Sequence, residues 1–85
     1  MTRVVLPTHL QSYTGGVAEI EAHGATLREV VASLESQFPG FRVRIIDEQD
    51  RIRRHVKCFV GGEQVEDLSC AVTGEVYVLM ALSGG

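Results

Sequence analysis

Glu75-Val76-Tyr77-Val78-Leu79-Met80-Ala81-Leu82-Ser83-Gly84-Gly85 is the stretch on which the reading of this chain turns. Its valine, tyrosine and leucine content favours a pleated, half-buried strand over Glu75 to Leu82. Side chains alternate along a strand, so Val76, Val78 and Met80 on one face leave Tyr77 and Leu79 on the other. The strand leads straight into Ser83-Gly84-Gly85, whose last two residues carry no side chain. The expectation is a packed unit over residues 1–82 and a flexible tail over residues 83–85.

Working back from that strand, Val56 to Val60 is also strand-like, Gly61-Gly62 supplies a tight turn, and Gln64-Val65 returns as a short strand. With Val56, Cys58 and Val60 inward, Lys57 and Phe59 turn outward and join Tyr77 and Leu79. Two readings of this outer face stand open: a second buried layer under residues 41–54, or a bare patch of Phe59, Tyr77 and Leu79 that docks a partner. Residues 41–54 contain Val43, Ile45 and Ile46 without a decisive period, so a short helix and an irregular crossing fit equally.

Nearer the start, Arg3 to Leu10 reads as a strand with Pro7 near its end, and Tyr13-Thr14-Gly15-Gly16 as a turn. Val17 to Ala22 alternates in period two, with Ala18, Ile20 and Ala22 on the inner face. Thr26 followed by Glu29 predicts a capping box, each residue's side chain bonding the other's amide. Leu27, Val30, Val31, Leu34 and Phe38 then form one apolar helical stripe, which Pro39-Gly40 ends. The predicted core is Leu6, Ile20, Val31, Leu34, Val56, Cys58, Val60, Val76 and Val78. A hairpin, a crossover helix and a second strand pair make an α+β roll with a mixed sheet and one main helix, its first and last strands side by side at the centre. That order is the β-grasp, or ubiquitin-like, roll.

Composition narrows the function. Eighty-five residues make one domain, too small to include a cofactor domain of its own. A net charge of -3 argues against a general nucleic-acid binder. The charge is uneven: Arg42, Arg44, Arg51, Arg53, Arg54 and Lys57 against Asp47, Glu48 and Asp50 make residues 42–57 +3 and the remainder -6. This segment is either a solvated loop with local ion pairs or a docking patch. Two cysteines without metal-site spacing, no signal-like start and no apolar run of bilayer length point to a cytoplasmic, reducing location with no membrane partner. His55 and Cys58 stand three apart on a strand and so face opposite ways, which leaves no converging nucleophile pair or metal site. Cys58 reads as a small core residue, Cys70 as a loop thiol, and His9 and His23 as residues at strand ends. No bound cofactor and no catalytic residue are expected.

Leu6-Pro7-Thr8, Tyr13-Thr14-Gly15-Gly16, Gly24-Ala25-Thr26-Leu27-Arg28-Glu29-Val30, Phe38-Pro39-Gly40-Phe41, Arg53-Arg54-His55-Val56 and Gly84-Gly85 together resemble the MoaD/ThiS family of ubiquitin-like sulfur-carrier proteins. The resemblance spans essentially the whole chain and is nearest the branch that feeds actinobacterial cysteine biosynthesis and related thio-metabolite pathways. It implies that Gly85 is adenylated by an E1-like enzyme using ATP, thiocarboxylated with sulfur from a sulfurtransferase or sulfide source, and presented to a sulfur-accepting synthase. A metalloprotease that trims the tail is a further implied partner. Two departures stand out: a short stretch between Asp67 and Glu75, and Leu79-Met80-Ala81-Leu82-Ser83 where relatives often carry proline. Transfer of the same glycine to a lysine amine, as a protein modifier, and an inert binding module are the alternatives the residues leave open.

Overall fold

The computed structural model describes residues 1–80. The expected domain end at Leu82 and the tail Ser83, Gly84 and Gly85 lie outside the described residues. The elements run β1 (Thr2–Val5), α1 (Thr8–Gln11), a 3-10 turn (Ser12–Thr14), β2 (Glu19–Ala22), α2 (Leu27–Gln37), α3 (Arg42–Ile45), β3 (Val56–Val60), β4 (Glu63–Val65) and β5 (Val76–Met80). The five strands order as β2-β1-β5-β3-β4. At the centre β1 and β5 pair in parallel, Val4 beside Val76 and Val5 beside Tyr77, while the other pairs are antiparallel.

All nine predicted core residues are buried. Val4, Ile20, Val56, Cys58, Val60, Val76 and Val78 line the inner sheet face, and Leu27, Val30, Val31 and Leu34 of α2 pack on it. Thr26 caps α2, its hydroxyl accepting from the Glu29 amide at 3.3 Å. The return bond differs by one residue from the expected box: the Glu29 carboxylate accepts from the Ala25 amide at 3.0 Å. Residues 68–72 run alongside, and the first-turn amides of Leu27 and Arg28 donate to the carbonyls of Cys70 and Leu68. Those carbonyls satisfy helix-start donors that no residue within α2 can reach.

Two predicted strands are shorter than the sequence suggests. The strand expected over Arg3 to Leu10 ends at Val5; Pro7, still extended, caps α1, where a residue without an amide donor costs nothing, and the turn of helix carries Leu10 into the core. Gly15 and Gly16 then take positive φ, and β2 begins at Glu19, so Ala18 is exposed and does not join the inner face. Residues 41–54 resolve into α3 and a loop pinned by an Ile46–Ile52 bridge. Phe41, Ile45 and Ile46 enter the same core as α2 and build no second layer beneath the sheet. The tight Gly61-Gly62 turn, with φ of 59° and 89°, joins β3 to β4 as expected.

Candidate functional site

Strand register places the outer face. Gln64, Phe59, Tyr77, Val5 and Glu19 stand abreast across β4, β3, β5, β1 and β2. Beside this row, Leu79 pairs with Lys57. Tyr77 is 40% exposed and Leu79 47%, while Phe59 and Val5 are half-buried. Of the two readings of this face, the structure therefore supports the uncovered one, and it brings Phe59, Tyr77 and Leu79 together. Val5 belongs to the same patch and was missed; with Val4 inward, alternation alone assigns it.

The patch is apolar at its centre and charged at its margin. Arg3 binds the Glu75 carboxylate through Nε and Nη2, and reaches Glu19 at 3.0 Å through Nη1. These two carboxylates raise the Arg3 guanidinium further above its usual range, Glu75 contributing most through its hydrogen bond. An apolar centre within a polar rim is the layout of a docking surface, where the centre gives up water and the rim stays wet.

No group of three or more His, Cys, Asp or Glu side chains that could hold a metal ion lies among the described residues. Cys58 is fully buried, and burial pushes its thiol from 9.0 up to about 12, so it is a neutral packing group at physiological pH. His55 is exposed and precedes β3, so strand alternation does not set its direction as the sequence alone suggests, while Cys58 is buried within the strand. Cys70 packs against the core edge. What the described residues offer is a partly exposed apolar patch and a central strand, Val76–Met80, after which the sequence continues to Ser83, Gly84 and Gly85.

No family model matches the chain. Individual proteins do. The sulfur carrier protein CysO of Mycobacterium tuberculosis is 33% identical over 89 aligned positions, covering 96% of each chain. The crystal structure of M. tuberculosis CysO superposes with a TM-score of 0.89 at 31% identity, over 96% of this chain and all of that one. A chain of the Amycolatopsis orientalis BexX/CysO complex gives a TM-score of 0.77 at 28% identity, with full coverage of both. These matches share the α+β roll built here from strand alternation and one capped helix, so the chain belongs to the CysO group of ubiquitin-like sulfur-carrier proteins, carriers and not catalysts.

Proposed function

We propose that this chain carries sulfur as a thiocarboxylate on Gly85 and delivers it in biosynthesis, with cysteine supply as the pathway its relatives favour. A bare carboxylate is a poor acyl donor. In the proposed cycle a Gly85 carboxylate oxygen attacks the α-phosphorus of ATP in an E1-like enzyme and releases pyrophosphate. Sulfide then attacks the acyl carbon, and AMP leaves with the bridging oxygen; where a sulfurtransferase supplies persulfide sulfur instead, the acyl disulfide first formed is reduced by a second thiol, which leaves as a disulfide with the transferase sulfur. The resulting thiocarboxylate is a sulfur nucleophile for a sulfur-accepting synthase, after which a metalloprotease trims any product left attached to the tail. ATP belongs to the activating enzyme, and the domain serves as its handle.

The observation that carries this reading is the uncovered row of Phe59, Tyr77 and Val5 on and beside β5, the central strand whose sequence continues to Ser83-Gly84-Gly85. A partner seated on that face meets the strand that delivers the tail, and two terminal glycines fit a channel that a Cβ would obstruct. The test is intact mass after expression with the E1-like partner and a sulfide source. A gain of about 16 Da, oxygen replaced by sulfur, is expected on a fragment containing Gly85. An unmodified terminus in the presence of an active partner would refute it.

A further inference from the structure

The sheet face does not account for the basic segment, and the fold gives that segment a definite place. Val56 pairs with Met80, so the residues that run into β3 lie beside the point where β5 passes toward the tail. Two hollows open at this pole and share Arg53. The smaller, about 350 Å³, is lined by His9, Tyr13, Arg44, Arg53, His55 and Met80 among others, and no carboxylate of the described residues lines it. The larger, about 770 Å³, sets Arg51, Arg54 and Lys57 beside Ile52 and Val56.

Most cations elsewhere on the chain are neutralised. Arg3 pairs with Glu19 and Glu75, and Arg28 and Arg42 share Asp50. At the tail-exit pole the pattern changes. Arg44 lies over the Tyr13 ring, 4.6 Å from its centre, and Arg53 donates through Nε to the Val43 carbonyl with Glu48 only at 3.8 Å. Among the described residues, Arg44, Arg51, Arg54 and Lys57 have no ion-pair partner. The larger hollow also holds Asp50, Glu66 and Asp67, none of them paired with Arg51, Arg54 or Lys57, so five cations outnumber three carboxylates in its lining.

Like charges gathered at one end of a chain of net charge -3 repel one another, and apart from the stacking of Arg44 on Tyr13, Arg44, Arg51, Arg54 and Lys57 gain no ion pair among the described residues. Their counter-charge comes from outside. Nucleic acid is a poor source, since the rest of the surface carries the acidic excess and would be repelled by phosphates. We propose that this basic collar docks an acidic rim around the tail channel of a partner enzyme, with one partner carboxylate seated in the smaller hollow between Arg44 and His55. The inference rests on the carrier reading and deepens it: the apolar sheet face supplies contact area, while the collar steers the tail toward the channel before contact is made.

The test compares two variants of equal net charge in ATP–pyrophosphate exchange with the E1-like enzyme. Arg44→Gln with Arg54→Gln removes two collar charges; Ala32→Glu with Ser36→Glu adds two negative charges on the exposed side of α2. The collar pair should raise KM for the carrier about tenfold at about 0.05 M salt with kcat unchanged, and the gap should narrow at about 0.5 M. The helix pair should stay within about twofold of the parent, and Arg44→Lys with Arg54→Lys should restore the parent KM. A Gly85 deletion runs alongside. Equal KM values for the collar and helix pairs, in a reaction that the deletion abolishes, would overturn the collar and leave the carrier reading intact. Exchange that survives the deletion would overturn the carrier reading and the role given to the collar with it.

Discussion

Replacing Phe59 and Leu79 by alanine should separate docking from folding. Leu79 is 47% exposed, so the fold already covers about half of the side chain and the remainder is available to a partner. Burying a whole leucine side chain stabilises by about 1.5–3 kcal/mol, which puts the half left for docking at about 1 kcal/mol. Phe59 is half-buried beside Tyr77 in the same row and should contribute a similar amount. Together they account for about 2 kcal/mol, or about 30-fold in affinity. The fold loses the buried halves, again about 2 kcal/mol, which a small domain tolerates while staying folded. The assay is KM for the carrier in ATP–pyrophosphate exchange, beside a thermal melt of the same preparation. A double variant that is folded and retains the parent KM would refute the assignment of this face.

Two further perturbations probe the scaffold. Gly24 has φ of 155°, and a Cβ there would stand 2.6 Å from the Val30 amide nitrogen and 2.7 Å from the Glu29 Cβ, whereas Gly40, at φ of 95°, faces open space. Gly24→Ala should therefore cost about 3 kcal/mol in urea unfolding and Gly40→Ala about 1 kcal/mol; equal losses would contradict the close approach of the 23–25 turn to α2. For Cys58, the unfolded chain releases its thiol proton near pH 9.0 while the fold holds it to about 12, so this contribution is complete below the lower value and is lost as pH rises between the two. Relative to Cys58→Ala, the parent should lose about 2 kcal/mol of stability between about pH 8 and about pH 10.5, and a constant difference between the two proteins would show that burial does not hold the proton.

The features visible in the sequence are those set by local periodicity. Val56, Cys58 and Val60 alternate against Lys57 and Phe59, and the Leu27-Val30-Val31-Leu34 stripe follows a cap whose residues are spaced for it. Both patterns survive because each element buries one face on a single core. What escaped has no such period. Pro7 fixes a φ of -74°, common to extended chain and to a helix start, so the passage from β1 to α1 leaves little local trace. Both α1 and α3 span four residues, one turn, too few for a stripe to repeat. The basic segment was legible as a charge run over residues 42–57, but the smaller hollow was not: His9, Tyr13, Arg44 and His55 are far apart in sequence and line one hollow with Met80 only in the fold. The outer patch was legible except for Val5, which alternation assigns to this face and the parallel register of β1 and β5 sets beside Tyr77.

The central claim is that the Gly85 carboxylate is the group a partner activates. Its most direct test is ATP–pyrophosphate exchange with the E1-like enzyme, labelled pyrophosphate and three forms of the carrier: the parent, a Gly85 deletion, and a chain lengthened by one residue beyond Gly85. Exchange with the parent alone is the expected result, because only that form ends on the Gly85 carboxylate. Exchange supported equally by the deletion would contradict the account and make the domain a binding module with an inert tail.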